Sequence, residues 1–259
     1  MTTEQLRLDQ PLAPARHALS KVPEVTVYFW VIKVLTTGMG ETTSDFLTKS
    51  LNPVIAVGIG GLGLVVALAL QFSARRYVSW VYWLAVTMVS VFGTMAADVL
   101  HVVLGIPYVV STTFYALVLA AIFAVWYRSE KTLSIHSIHT RRREVFYWAT
   151  VMATFALGTA AGDMTAGTMK LGYFSSGVLF AVLIAVPALA YWKLRLNEIF
   201  AFWFAYILTR PLGASFADWL GVPASRGGLG WGTGPVSLGL AAVIALFVGY
   251  LAISRKDVA

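Results

Sequence analysis

The chain has 259 residues, 58% of them hydrophobic and 12% charged, with a mean hydropathy of +0.76. A soluble domain is about half apolar and a quarter charged, so this composition excludes one and points to an integral membrane protein. The formal charge of +7 sits mainly in short connections between apolar runs. That pattern orients a membrane protein and gives no reason to expect a nucleic-acid partner. Cysteine is absent, which excludes disulfides, thiolate metal sites and cysteine nucleophiles. None of His17, His101, His136 and His139 falls within a predicted helix, which argues against bis-histidine haem. No permanently bound cofactor is expected.

Residues 1–22 are polar and lack an apolar stretch followed by a small-residue cleavage site, so no secretory signal is expected. They read as a cytoplasmic N-terminal segment. Apolar runs near the bilayer-spanning length of about 20 residues follow. They predict eight helices over about 23–48, 53–72, 77–100, 107–127, 144–168, 172–192, 197–220 and 233–253. Residues 23–253 are thus a single transmembrane domain and 254–259 a cytoplasmic tail. The connections at 73–77, 128–143 and 193–198, with the two termini, carry fourteen of the 19 Lys and Arg. The opposite connections carry Lys49, Lys170 and Arg226. The positive-inside rule then places both termini in the cytoplasm. Trp80, Trp126 and Trp192 lie near the basic helix ends and read as interfacial anchors.

A pattern [YF]-W-x9-G-x4-D occurs four times without a gap. It runs from Trp30 through Gly40 to Asp45, from Trp83 through Gly93 to Asp98, from Trp148 through Gly158 to Asp163, and from Trp203 through Gly213 to Asp218. Each copy lies on an odd-numbered helix, and a plainer even-numbered helix follows. A two-helix unit returns to its starting side, so the four units share one orientation. They are parallel repeats about an axis along the membrane normal, covering about 23–72, 77–127, 144–192 and 197–253. A ring of helix pairs with the motif helices at its centre is the natural packing. In all four copies the chain resembles bacterial inner-membrane proteins of four tandem two-helix repeats, the domain of unknown function 347 family. The resemblance covers about 23–253. It implies an all-α fold of eight helices in four repeats, pseudo-symmetric about the membrane normal, in the bacterial inner membrane. It leaves the activity open.

A carboxylate at mid-membrane costs about 2.5–3.5 kcal/mol, so four unpaired copies would cost on the order of 10 kcal/mol. Two readings of Asp45, Asp98, Asp163 and Asp218 are open. They cap helices at the outer headgroups, or they share a cation site. Helical phase puts the residue after each Gly on the same face as the Asp, giving the pairs Glu41/Asp45, Thr94/Asp98, Thr159/Asp163 and Ala214/Asp218. One turn earlier come Thr37, Ser90, Phe155 and Arg210. This oxygen-bearing face suits a hard divalent cation, with Mn2+ ranked first, and Glu41, Asp45, Asp98, Asp163, Asp218, Thr94 and Thr159 are its candidate ligands. Within the spans Arg210 and Lys33 are the balancing bases, leaving a surplus of three negative charges against the five acids. Arg210 has two candidate partners, Asp218 or an acid of another repeat, and a third reading in which it replaces a cation. Lys33 either balances charge or snorkels to the headgroups. Glu41 has no acidic counterpart in the other repeats and reads as the central ligand or the proton carrier.

Gly40, Gly93, Gly158 and Gly213 are expected at close helix crossings. Pro211 is expected to kink or break its helix. Trp30, Trp83, Trp148 and Trp203 form either a belt at one depth or a packed aromatic gate. His101, three residues after Asp98, is placed in a loop. The function that follows is a secondary transporter, and not an enzyme: an exporter of a divalent metal cation, with the proton gradient as its candidate driving force. An organic-cation transporter and a membrane scaffold or enzyme are the alternatives. The partners are lipid, the transported cation and protons, and both a monomer and a homo-oligomer fit.

Overall fold

The structure, a computed structural model, describes residues 20–258. The expected N-terminal segment, with Arg7, Arg16 and His17, lies outside the described residues except at its end. Eight long helices follow in order: α1 (Val27–Ser50), α2 (Pro53–Ser73), α3 (Ser79–Asp98), α4 (Tyr108–Glu130), α5 (Arg141–Asp163), α6 (Tyr173–Leu194), α7 (Glu198–Gly221) and α8 (Thr233–Ser254). No strand occurs among the described residues. Among the described residues seven helices are long and apolar enough to cross a membrane. The exception is α1, which carries Lys33, Glu41, Asp45 and Lys49. Side chains of Thr26, Asn52, Thr140 and Asn197 cap α1, α2, α5 and α7 by accepting from a backbone N–H of the first turn. Wider π-helical turns, Val99–Val103 and Met164–Thr168, prolong α3 and α5 directly after Asp98 and Asp163.

The four motif helices form a closed ring in which α1 packs on α3, α3 on α5, α5 on α7 and α7 on α1. The plainer helices lie outside. Each packs mainly on the motif helix of the next repeat rather than on its own: α2 on α3, α4 on α5, α6 on α7, and α8 back on α1. The chain therefore closes by seating its last helix on its first. The outer helices face away with apolar side chains such as Val54, Leu62, Leu117, Leu246 and Ile253 exposed, as lipid contact requires.

The motif glycines mark the ring crossings. A Cβ on Gly40 would overlap Ser90 of α3, one on Gly93 would lie 2.9 Å from Cβ of Phe155 on α5, one on Gly158 would overlap the Arg210 side chain on α7, and one on Gly213 would lie 2.7 Å from the Val34 carbonyl oxygen of α1. In every case the glycine meets the next helix in the ring, and only a missing side chain permits that approach. Pro211 does not break α7, which runs unbroken from Glu198 to Gly221. The ring packing holds the helix there: Pro211 Cδ is 3.0 Å from where a Gly158 Cβ would stand.

The aromatic pair that opens each motif forms a second layer toward the basic ends. Phe29 packs on Trp83 (5.6 Å between ring centroids), Tyr82 on Trp148 (5.7 Å), Tyr147 on Trp203 (6.2 Å) and Phe202 on Trp30 (5.6 Å). Trp126, expected at the interface, is instead fully buried, stacked on Phe146 at 6.1 Å and set edge-on to Trp203 at 5.8 Å. Trp80 and Trp192 are exposed.

Polar ties sew the basic face. Lys21 donates to the fully buried Glu144 at 2.6 Å, and Gln71 donates to the same carboxylate at 3.2 Å. Asp257 accepts from Tyr77 at 2.5 Å and from Ser79 at 2.9 Å. Burial and that hydrogen bond push the Tyr77 phenol above its ordinary range.

The crossings give a paired expectation. Gly213→Ala forces methyl against backbone and is expected to destabilise by about 1–3 kcal/mol. Gly239→Ala on α8, with open space around it, is expected to be neutral or to stabilise by up to about 1 kcal/mol. Thermal unfolding of the purified protein in detergent checks both.

Candidate functional site

One turn below the aspartates, the ring axis is filled by a side chain of the chain itself. Arg210, on α7, is fully buried. Its Nη2 donates to Glu41 Oε2 of α1 at 2.7 Å, to Thr159 Oγ1 of α5 at 2.6 Å, and to Thr94 Oγ1 of α3. Its Nη1 donates to the Thr37 carbonyl of α1 at 3.4 Å. One guanidinium thus binds a group from each of the other three motif helices. The fourth residue of this level, Ala214, lies on Arg210's own helix and contributes only a methyl.

Of the readings for Arg210, the geometry brings together the pair with an acid of another repeat. It is not in ion-pair contact with Asp218. The Thr94 and Thr159 hydroxyls, expected to ligate a cation, accept from Arg210 and are absent from the cavity wall.

Above this layer, away from the basic connections, lies a cavity of about 400 Å³. Asp45, Asp98, Asp163 and Asp218 all line it, with Glu41, Tyr108, Tyr173, Lys49 and Arg226. Sequence spacing had left open whether the four aspartates meet, and here they share one chamber. Asp45 pairs with Lys49, which is exposed. Among the described residues no basic side chain lies within ion-pair distance of Asp98, Asp163 or Asp218. Nor, among these residues, do three acidic or imidazole groups converge tightly enough to hold a bare metal ion.

Lys33 does not snorkel. It is 1% exposed, and its Nζ sits 4.0 Å from the Phe155 ring centroid and 4.3 Å from that of Tyr206, with no hydrogen bond among the described residues. The helix carries it into the ring interior, where the crossing helices leave no path to the headgroups. His101 lies in the π-turn after Asp98. Its Nδ1 is 2.9 Å from the Ile106 carbonyl and its Nε2 3.1 Å from Ser111 Oγ, so both ring nitrogens are engaged away from the acids.

A second cavity, of about 500 Å³, opens between α1, α6 and α7 near the basic face. Its wall is mostly apolar, with Trp30, Pro187, Tyr191 and Phe202, and it holds none of the motif acids. The acidic cavity is the one that gathers the repeated chemistry.

A family model matches residues 28–77, 81–132, 146–196 and 201–257, described as a repeat of unknown function, DUF347. The chain belongs to the DUF347 repeat family. The four matched segments cover most of the molecule and coincide with the four helix pairs. Searches of curated proteins and of solved structures find no match. The family thus accounts for the repeat, and the chemistry has to be read from the residues.

Three features lay beyond the sequence reading. Lys21, Glu144 and Gln71 form a buried polar knot. Glu144, inside the first turn of a predicted span, was the available signal. Tyr77 and Asp257 meet across 180 residues, with no local sign in the sequence. The hydroxyls of Tyr82 and Tyr147 share a hydrogen bond of 2.5 Å, and their positions beside motif tryptophans marked them as a pair.

The Arg210–Glu41 contact sets an expectation for stability. Removing one partner strands a buried charge and costs about 3–5 kcal/mol. Glu41→Gln and Arg210→Met are each expected to lower stability by that order. The double variant is expected to recover much of the loss. Denaturation of the four proteins of this cycle reads the coupling directly.

Proposed function

We propose that this protein is a secondary transporter of cations. In this reading all eight helices cross a bacterial inner membrane, the basic face is cytoplasmic, and the pseudo-fourfold axis of the repeats lies along the membrane normal. The charge-bearing α1 is shielded from lipid by its neighbours in the ring. The aspartate cavity is then the binding site, open toward the periplasm. The carrying observation is that Asp98, Asp163 and Asp218 line one cavity with Glu41 and have no basic partner within ion-pair distance among the described residues. Carboxylates that outnumber the basic residues of their cavity, Lys49 and Arg226, attract cations where the surroundings are low in dielectric.

Passage toward the cytoplasm is blocked at two levels, by Arg210 with its three partners and by the aromatic layer beneath. A cargo cation drawn to Glu41 competes with Arg210 for the same carboxylate. Release of that guanidinium is the step by which a filled cavity opens the next level. Alternating access in repeat proteins is commonly a rocking of repeats around a fixed site, and the glycine crossings are where such motion would occur.

The cargo best suited to this site is a hard divalent cation that keeps much of its water shell. Carboxylates spread round about 400 Å³ contact a hydrated ion from several sides without stripping it, as Mg2+ sites do. Mn2+ is the first ion to test, since it accepts all-oxygen surroundings. One observation favours a second reading: Tyr108 and Tyr173 share the wall with the acids, and phenol faces with carboxylates also hold organic cations.

In proteoliposomes the protein is expected to carry Mn2+ down its gradient. Asp98→Asn and Asp163→Asn are each expected to weaken cation binding by roughly tenfold or more, the worth of one charge-assisted contact. Thermal protection of the purified protein by Mn2+ but not by tetraphenylphosphonium selects the metal, and the reverse selects the organic cation. Absence of both protection and flux would remove the transporter reading in favour of a scaffold.

A further inference from the structure

The level between the Arg210 layer and the aromatic layer is built from Lys33, Val86, Val151 and Tyr206, the residues three after each motif Trp. All four are fully or almost fully buried. Three are uncharged and one is a lysine. Its Nζ lies 4.0 Å from the Phe155 ring centroid, and the Arg210 guanidinium carbon lies 5.5 Å from the same ring. Two basic groups therefore share one aromatic ring, on adjoining levels of a closed core. Arg210 is fixed there by Glu41, Thr94 and Thr159. Lys33 is fixed by no oxygen at all among the described residues.

We propose that Lys33 is the residue that binds and releases the coupling proton, an assignment that rests on the cation-transporter reading above. Glu41, the sequence-based candidate for that task, is committed to Arg210. A group whose proton is held in place by hydrogen bonds to fixed partners is poorly suited to exchange. The ε-amine of Lys33 has only π-faces around it, which accept an ammonium without locking it in place. The titratable and charged groups around it are few: Glu41 two turns along its own helix, Tyr82 on α3, Tyr147 on α5, and Tyr206 and Arg210 on α7.

The surroundings also place phenols on the side of the basic face. The Tyr206 ring touches Lys33 at 4.3 Å from Nζ. The hydroxyl of that ring has no hydrogen-bond partner among the described residues. The Tyr147 hydroxyl shares a 2.5 Å hydrogen bond with Tyr82. The Tyr82 ring packs on Tyr77 at 5.7 Å, and Tyr77 donates to Asp257 at the basic face at 2.5 Å. Phenols thus lie on the basic side of Lys33, hydrogen-bonded in two places, Tyr82 to Tyr147 and Tyr77 to Asp257. In the release step one N–H bond of the ammonium breaks, the electron pair stays on Nζ, and the proton passes to water at the basic face. In the uptake step, once cargo has left into the aspartate cavity, the lone pair takes a proton from water of that cavity, so one turnover moves one proton across the molecule.

Coupling follows from the shared ring. Cargo bound at Glu41 frees the Arg210 guanidinium from its counter-ion, and its uncompensated charge then acts on Lys33 across Phe155. A charged Lys33 and a freed Arg210 repel each other, so cargo entry drives the proton off. The result is exchange of cation for proton, with the two never sharing a ligand.

Lys33→Met removes the amine at similar volume, and Lys33→Arg keeps a charge that does not leave. Both are compared with the wild type in proteoliposomes for two activities: isotopic exchange of Mn2+ at equal pH, and Mn2+ accumulation driven by a pH gradient. The expected result is that Lys33→Met keeps exchange and loses gradient-driven accumulation, that Lys33→Arg, whose fixed charge opposes release of Arg210, loses both, and that the wild type shows both. Retained exchange also demonstrates that Lys33→Met folds. Accumulation by either variant at the wild-type level would overturn the assignment. A wild type that exchanges Mn2+ without responding to the pH gradient overturns it too, and leaves the transporter reading standing. A wild type that moves no Mn2+ and no tetraphenylphosphonium overturns both.

Discussion

The molecule is organised around one guanidinium. Arg210 reaches from α7 into the middle of the helix ring and ties down α1, α3 and α5 by Glu41, Thr94 and Thr159. A single buried charge with three fixed partners does two things that neutral packing cannot. It defines the level at which four similar helices meet, because moving any of them leaves a polar group unpaired in a low-dielectric core. It also separates an acidic chamber on one side from an aromatic floor on the other.

That arrangement depends on small residues elsewhere. The guanidinium reaches its partners only because Gly158 lets the Arg210 stem lie against α5, and the other three crossings use the same device. The outer helices complete the closure by leaning on the neighbouring repeat, so that α8 locks against α1. A ring assembled in this way has no natural first or last unit, although the chain has two ends. Lys21 and Asp257 near those ends are drawn into the basic face by Glu144 and Tyr77.

Departures from the repeat are where the chemistry lies. At the level of Arg210 the counterparts are Thr37, Ser90 and Phe155; at the level of Glu41 they are Thr94, Thr159 and Ala214; at the level of Lys33 they are Val86, Val151 and Tyr206. Each level carries one charged exception, and all three exceptions stand on α1 and α7, which adjoin each other in the ring. The four aspartates, by contrast, keep the repeat. A shared, nearly even set of carboxylates faces the cavity, and an asymmetric set of charges lies behind it.

The helices, their order and the four-copy motif were legible because hydropathy and a gapless spacing are local properties. So was the common level of the four aspartates, since equal spacing along equal helices puts equal residues at equal depth. The glycine crossings were legible in kind, through the rule that close helices need small residues. Partner choice was not. Lys33 looked able to snorkel, and it cannot, because the ring seals its level. Pro211 was expected to kink or break its helix, and α7 runs through it unbroken. Thr94 and Thr159 looked like cation ligands, and they already serve a cation of the chain's own. By itself the sequence determined which residues share a face and a depth, since helical period and repeat spacing set both. Only the tertiary structure decided which helix turns that face to which neighbour, because that choice arises when four helices compete for one axis and a single arginine fills it.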